Sequence, residues 1–360
     1  MSTLVRAPKV DRLERALRRL GEERLDALAV LKAETRTYLT GFTGSAGIAV
    51  LAPARSTLLV DFRYEEQAAA EATGWAVHRV SNLLEGLDAF LQDLGAARVG
   101  LEADTVTVAQ WRKLGGASGR ELVALEGLDR LRWRKDPEEL ALIRRAARIA
   151  DDAFAAILSQ VRPGVTEGEL AAELEYRMRR AGAERAAFET IVASGPRSAL
   201  PHGRASDRRL GRGDIVTVDF GAVVGGYHSD CTRTFVLGAA SAEQREVYAV
   251  VREALEVAEA GIRPGLTGRQ ADALARERIA AAGYGEAFGH GLGHGVGLAV
   301  HEGPTLSPRE EAVLEEGVVV TIEPGIYRPG WGGVRIEDLV VLEEDGPRSL
   351  IGLRRELLEL

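Results

Sequence analysis

The 360-residue sequence has one cysteine, no long apolar run and no excess of positive charge, and each of these absences excludes a class of protein. Its one cysteine, Cys231, allows neither an intramolecular disulfide nor a cysteine-based zinc site. No apolar run reaches the ~20 residues of a membrane-spanning helix. The net charge of −8 gives no electrostatic support for nucleic-acid binding. The N-terminus lacks the apolar segment of a signal peptide, so we expect a soluble cytoplasmic protein.

The first third of the chain alternates short apolar runs with helical patterns, which predicts an α/β domain over residues 1–128. His78 lies in a strand-like run, where a structural role is expected. Asp61 and Arg63 lie at the end of another strand and could face a cleft or form a surface pair. The predicted strands are LDALAVL, AGIAVLA, STLLVDF, WAVHRV and ARVGLEA, and the predicted helices are VDRLERALRRLGEE, YEEQAAAEA and NLLEGLDAFLQDLG.

The rest of the chain, residues 129–360, contains an internal repeat. VRPGVTEGELAAELEYRMRRAGAE and IRPGLTGRQADALARERIAAAGYG share an Arg-Pro-Gly turn and a threonine three residues before Glu or Gln. That spacing predicts a capping box at the start of each following helix. Each unit is preceded by a long helix, over 137–160 and 242–260, and followed by strands. We therefore expect two helix–helix–strand copies, over about 137–238 and 241–343, related by a pseudo-two-fold axis.

Three of the six histidines lie in HGLGHGVGLAVH, at positions 290, 294 and 301. A helix would place His290 and His294 on one face, but its alternate glycines would each cost about 1 kcal/mol relative to alanine. Extended chain or a loop is the better prediction. Histidines on a backbone that can approach other groups closely indicate a site.

Two aspartates lie on a predicted hairpin in IVTVDFGAVVGGYHSDCTRTFV, which turns at Gly225-Gly226. In this register Asp219 lies opposite Thr232, and Asp230 lies opposite Gly221, so the aspartates are diagonal neighbours on one face. Cys231 points to the other face. Without a positive group between them the acids would repel; the alternative is a solvated hairpin face.

The second copy supplies two further carboxylates. We place Glu323 at the position of Asp219 and Glu337 at that of Asp230, so the pseudo-dyad would gather four acids. Two divalent cations would neutralise them, and one histidine would complete the ligand set: Asp219, Asp230, His294, Glu323 and Glu337. Oxygen ligands with one imidazole suit Mn²⁺ or Co²⁺ and do not exclude Zn²⁺ or Fe²⁺. Such a dinuclear centre suits hydrolysis.

Further polar residues are expected around this centre. Arg335 shares the strand face of Glu337 and could orient a carboxylate, and Thr232 could donate to one. His202, in SALPHG, could contact a substrate or lie on a surface loop. His228 falls on the aspartate face near the turn and is not assigned to the site.

The segments FETIVASGPRSALPHG, VDFGAVVGGYHSDCTRTF, HGLGHGVGLAVHEGP, TIEPGIY and GGVRIEDLVVL together resemble the proline-specific metallopeptidases of the pita-bread fold, the Xaa-Pro aminopeptidases and Xaa-Pro dipeptidases (prolidases). YLTGFTGSAG and DFRY resemble the N-terminal domain of these enzymes. The resemblance implies a dinuclear Mn²⁺ or Co²⁺ centre at the five positions above, a substrate with proline after the scissile bond, and a homodimer.

The resemblance also implies roles for single residues. His294 would bind metal, and His290 and His301 would lie near the scissile carbonyl and the proline. His202 would support the tetrahedral intermediate, Glu323 would bind metal and transfer the proton, and Arg335 would hold a metal ligand.

The two branches of the family differ in whether a free carboxylate follows the proline. Some dipeptidases carry an arginine shortly after the HEGP-like motif, where this chain has Thr305, with Arg309 further on. We therefore expect an Xaa-Pro aminopeptidase, with the dipeptidase as the alternative. A non-catalytic pita-bread binding module and a metal-free creatinase-type amidinohydrolase should both lack the ligand set. The N-terminal domain and the PHG and VHEGP segments argue against a methionine aminopeptidase.

Overall fold

A computed structural model describes residues 10–115 and 119–360. The chain divides into two compact units, Met1–Arg132 and Trp133–Leu360. The predicted boundary after residue 128 lies within the short helix Leu128–Arg132, which belongs to the first unit. Over the described residues, none of the helices combines the length and apolar character that crossing a membrane requires.

The first unit is built on a mixed six-stranded sheet with strand order β4-β3-β2-β1-β5-β6. All five predicted strands and all three predicted helices are present; α2, α5 and β6 were not predicted. Asp61 and Arg63 form an exposed pair after β3, and His78 lies on the edge strand β4. The elements are α1 (Val10–Glu22), β1 (Ala27–Val30), α2 (Ala33–Thr40), β2 (Ile48–Leu51), β3 (Thr57–Val60), α3 (Glu65–Glu71), β4 (Ala76–Arg79), α4 (Leu83–Asp93), β5 (Arg98–Glu102), α5 (Val108–Gly115) and β6 (Glu121–Leu125).

Four helices of the second unit begin at capping boxes, two of which are the predicted ones after the Arg-Pro-Gly turns. The Asp136, Thr166, Ser241 and Thr267 side chains each accept from the backbone three residues on, and each is part of a full capping box. The caps fix where each helix begins because they satisfy its unpaired N–H groups. The helices are α6 (Pro137–Ile157), α7 (Glu167–Arg180), α8 (Ala242–Gly261) and α9 (Gly268–Ala281).

The two helix pairs are packed by apolar stripes. Along α8 the buried side chains recur every three or four residues, and α9 presents the small side chains of Ala271 and Ala275 with Ile279. In each copy, the glycine of the Arg-Pro-Gly turn between the two helices donates a backbone hydrogen bond to the segment that follows the helix pair. Gly164 N–H donates to Leu210 O, and Gly265 N–H donates to Leu314 O, each over 2.9 Å. The predicted repeat is thus present in the backbone.

The strands of the second unit form a four-stranded sheet (β20-β12-β9-β8), a five-stranded sheet (β14-β13-β15-β18-β19), a three-stranded sheet (β11-β10-β7) and the hairpin β16-β17. They are β7 (Arg185–Ala186), β8 (Ile191–Ser194), β9 (Ile215–Phe220), β10 (Ala222–Val224), β11 (Tyr227–His228), β12 (Cys231–Val236), β13 (Gly293–Gly295), β14 (Glu302–Leu306), β15 (Val319–Ile322), β16 (Gly325–Arg328), β17 (Gly332–Arg335), β18 (Asp338–Glu343), β19 (Gly346–Ser349) and β20 (Leu358–Glu359).

The first hairpin has the predicted register: Asp219 pairs with Thr232, and Val224 pairs with Tyr227 across the two-glycine turn. The second hairpin corrects the sequence analysis. Ile322 pairs with Asp338, and Gly325 pairs with Arg335, so Glu323 lies directly opposite Glu337. Glu337 therefore occupies the position of Thr232, and Arg335 that of Asp230. The prediction was wrong because the second turn, beyond the pair Arg328–Gly332, is longer than two residues.

Candidate metal centre and active site

One cavity of about 470 Å³ in the second unit gathers nearly all the predicted site residues. Every one of them lines it except Thr232, which is fully buried. Asp219 and Glu323, the equivalent acids of the two copies, both face this space. The predicted residues that line the cavity are Asp219, Asp230, Glu323, Glu337, His202, His290, His294, His301 and Arg335.

The glycine-rich stretch is not helical: it forms the short strand β13 between β14 and β15, and most of the rest is bends, which agrees with the predicted extended chain or loop. A Cβ at Gly293 would lie 2.0 Å from Thr321 O, and one at Gly295 would lie 2.3 Å from Gly303 O. Only glycine permits such close backbone approach. The glycines therefore allow the strand to insert and to hold His294 between the carboxylates.

The carboxylates and one imidazole form a compact cluster. The candidate ligand atoms of Asp230, His294 and Glu337 lie within 4.8 Å of one another. His294 Nε2 is 3.6 Å from Asp230 Oδ2 and 3.4 Å from Glu323 Oε1. Asp219 Oδ1 is buried without a hydrogen-bond partner. Oxygen and imidazole atoms at this spacing can ligate a divalent cation.

Arg335 connects the carboxylates to the surrounding strands. Its Nη2 donates to Asp219 Oδ2 over 2.7 Å, and its Nε donates to Thr232 Oγ1 over 3.0 Å. Thr232 Oγ1 in turn donates to Glu337 Oε2 over 2.6 Å. These bonds fix the orientation of one acid from each copy, Asp219 and Glu337.

Burial makes the cluster electrostatically costly. Loss of solvent, followed by repulsion from neighbouring carboxylates, raises the pKa of Asp230 and of Glu337 well above the ordinary range. Burial also raises the pKa of Glu323, although Arg335 opposes that shift. For His294, burial lowers the pKa and favours the neutral ring. These groups need more positive charge than the single guanidinium supplies.

The donor set fits divalent cations. Four carboxylates carry more negative charge than Arg335 can balance, and Asp219 Oδ1 lacks a partner. His294 Nδ1 lies 3.1 Å from Gly295 O, an interaction that requires a proton on Nδ1 and leaves the Nε2 lone pair for a metal. The cluster can therefore hold divalent metal.

The other three histidines surround this cluster. His301 stacks edge-on against His294, with ring centroids 4.4 Å apart. His290 is half-buried, and its Nε2 lies 2.9 Å from Tyr327 OH. His202 is exposed at the cavity wall. Burial lowers the pKa of His290 and of His301, which favours neutral rings that can donate or accept hydrogen bonds.

Sequence reasoning missed Tyr327 and Thr321. Tyr327 OH accepts from Arg335 Nη1 over 2.9 Å and also contacts His290. Thr321 Oγ1 donates to Glu323 Oε1 and accepts from His294 N. The sequence did carry a signal for Tyr327, because strand alternation places residue 327 on the same face as Glu323.

Two residues left outside the predicted site pack elsewhere. His228 is buried, with Nδ1 3.1 Å from Gly297 O. Cys231 is buried and contacts the Glu337 carbonyl through its sulfur.

Comparison with known proteins gives two family matches. Residues 141–344 match metallopeptidase family M24, and residues 12–133 match the creatinase/prolidase N-terminal domain. An Xaa-Pro dipeptidase of Pyrococcus horikoshii is 39% identical over 97% of this chain and 99% of its own length. The structure of an Xaa-Pro dipeptidase from Bacillus anthracis is 43% identical, with a TM-score of 0.94 over 97% of this chain and 99% of that one. An X-Pro aminopeptidase structure from Thermotoga maritima is 42% identical, with a TM-score of 0.89 over the same shares.

Proposed function

Because the chain belongs to metallopeptidase family M24, we propose that it is an Xaa-Pro dipeptidase that hydrolyses the bond before proline in dipeptides. The family and the structural neighbours confirm the predicted architecture, an α/β N-terminal domain followed by a pita-bread catalytic domain. The family match also shows that the chain is a metallopeptidase. The observation that carries the proposal is the cluster of four carboxylates and His294 in one cavity.

Asp219, Asp230, His294, Glu323 and Glu337 would hold two divalent cations, Mn²⁺ by preference, with Co²⁺ or Zn²⁺ as alternatives. Such cations supply Lewis-acid polarisation of a carbonyl and acidify water. Arg335 and Thr232 keep the carboxylates oriented through the bonds described above.

The remaining residues would act on the peptide. Glu323 would take up the proton of the attacking water and return it to the proline nitrogen, which carries no hydrogen in the substrate amide. His202 and His290 would donate to the developing oxyanion, and His301 would contact the substrate beside His294. Phe188 and Ile191 provide an apolar part of the cavity wall for the pyrrolidine ring.

The comparisons favour the dipeptidase alternative over the aminopeptidase that the sequence analysis preferred. Two of the relatives described above are called Xaa-Pro dipeptidases. The Thermotoga maritima structure keeps the Xaa-Pro aminopeptidase as the second candidate. Homodimer formation and a cytoplasmic location stay predictions.

The test compares Ala-Pro with Ala-Pro-Ala after metal removal and reloading with Mn²⁺, Co²⁺ or Zn²⁺. We expect activity only with metal, about two equivalents bound, and faster turnover of the dipeptide. Asp230→Ala should abolish turnover and reduce bound metal while the protein stays folded. Full activity of metal-free protein would refute the metal site, and faster tripeptide turnover would favour the aminopeptidase.

A further inference from the structure

A dipeptidase must neutralise the free carboxylate that follows proline, and arginine does so best. Among the described residues that line the cavity, the arginines are Arg335 and Arg204, and none is lysine. Arg335 is engaged with the metal-site acid Asp219, with Thr232 and Tyr327, and with a backbone carbonyl. Arg204 is the cation that remains for a substrate.

The strand register fixes where Arg204 stands relative to the metal cluster. Ile191 pairs with Asp219 on one side and forms an antiparallel bridge with Arg204 on the other. Residues directly opposite each other share a sheet face, and all three line the cavity. Neighbouring strands are ~4.8 Å apart, so the backbones of Arg204 and Asp219 lie about 10 Å apart with Ile191 between them.

Across the strands the order is Asp219, Ile191 and Arg204, and it matches the order of groups in the substrate. In an Xaa-Pro dipeptide the scissile carbonyl is followed by the pyrrolidine ring and then by the carboxylate, one residue length or ~3.5 Å further on. A carbonyl near Asp219 therefore places the ring over Ile191. The carboxylate then lies on the Arg204 side, within reach of a long side chain.

Arg204 combines a fixed backbone with a side chain that can change partner. Its carbonyl accepts from Arg197 Nη2, and Arg197 is paired with the buried Glu167. Its guanidinium Nε lies 3.0 Å from Glu189 Oε2, but the two side chains are 79% and 62% exposed. Ion pairs so exposed contribute little, so a substrate carboxylate can replace Glu189 at small cost.

We propose that Arg204 determines substrate specificity by binding the free carboxylate of Xaa-Pro dipeptides, with Glu189 as the partner it releases. The inference rests on the proposed function.

The test uses Mn²⁺-loaded enzyme and two substrates with the same scissile bond, Ala-Pro and Ala-Pro amide, which lacks the terminal charge. Arg204→Ala should lower the ratio of kcat/KM for Ala-Pro to that for the amide by about 10- to 100-fold, mainly through KM. Glu189→Gln should raise the ratio, because the arginine loses its competing partner. Arg309→Ala is the matched control and should leave the ratio unchanged, since Arg309 is exposed and does not line the cavity.

If the ratio of the two kcat/KM values is unchanged in Arg204→Ala, the role of Arg204 is overturned. This holds also when kcat/KM falls by the same factor for both substrates. Arg204→Gln, which keeps a polar side chain with N–H donors but carries no charge, should show the same loss if the charge matters. Calorimetric binding of proline against prolinamide gives a second readout, and only proline binding should weaken in the variant. If wild-type enzyme cleaves neither substrate, the proposed function itself fails.

Discussion

The buried ion pair between Lys135 and Glu302 holds the first residue of β14, which directly follows His301. Lys135 Nζ lies 2.7 Å from Glu302 Oε1, and the two side chains are 1% and 2% exposed. Lys135 also donates to Trp133 O over 2.9 Å. A Cβ at Gly297 would lie 2.5 Å from the Glu302 carboxylate, which therefore packs against the glycine-rich stretch.

Replacing Lys135 by methionine keeps much of the side-chain volume but leaves the Glu302 carboxylate buried without the ammonium. Removing one partner of a buried ion pair costs about 3–5 kcal/mol. For a unit of this size the Tm should fall by about 6–20 °C. We also expect kcat to fall, because His301, which lines the cavity, directly precedes Glu302 in the chain.

Thermal unfolding followed by circular dichroism at pH 7.5, alongside Ala-Pro turnover, measures both effects. Lys113→Met is the control, because its pair with Glu85 is exposed and should contribute less than ~1 kcal/mol. In the double variant Lys135→Met, Glu302→Met much of the stability should return. A Tm loss in Lys135→Met no larger than in the control would refute the reasoning.

Two further predictions concern a buried acid and a buried hydroxyl. Burial raises the pKa of Asp151 from its ordinary value of 3.8 to about 6, so the folded state holds a proton that the unfolded chain releases. Stability should therefore fall as pH rises between these values, and above pH 6 the full cost of about 3 kcal/mol is present. Asp151→Asn should raise the free energy of urea unfolding by up to that amount at pH 7.5 and by little at pH 4. The control Asp152→Asn, at an exposed position, should leave the free energy of unfolding unchanged at both pH values. Equal stabilisation by Asp151→Asn at both pH values would contradict this. Tyr327→Phe removes the hydroxyl shared by His290 and Arg335 and should lower kcat about 10-fold and stability by about 1–2 kcal/mol. The control is Tyr284→Phe, because the Tyr284 hydroxyl contacts the exposed Glu246. A wild-type kcat in Tyr327→Phe would show that the Tyr327 hydroxyl does not contribute to turnover.

Helix starts and the first hairpin could be predicted because their determinants are local. Thr166 and Thr267 cap their helices through a residue three positions away. The two-glycine turn sets the pairing of Asp219 with Thr232, since a two-residue loop leaves one register. Short apolar runs likewise identified five of the six strands of the first unit.

The second hairpin shows where local reasoning failed. Matching acid to acid placed Glu337 at the position of Asp230, whereas the longer turn places it opposite Glu323. The backbone repeat is therefore symmetric, but the charges are not, because Arg335 stands at the position of Asp230. Arg335 therefore donates a hydrogen bond to Asp219, where a carboxylate at the same position would have been a further candidate ligand.

The sequence alone determined which chemistry the chain carries: the acids and histidines of the proposed metal site, the doubled unit that bears them, and the glycines that let His294 approach other strands. These properties depend on residue type and on neighbours a few positions apart. Only the tertiary structure decided that Arg335 binds Asp219, that Tyr327 bridges His290 and Arg335, and that Arg204 stands beyond Ile191 in the cavity. Such contacts join strands as far as about a hundred residues apart, and their register follows from packing and turn length rather than from local sequence.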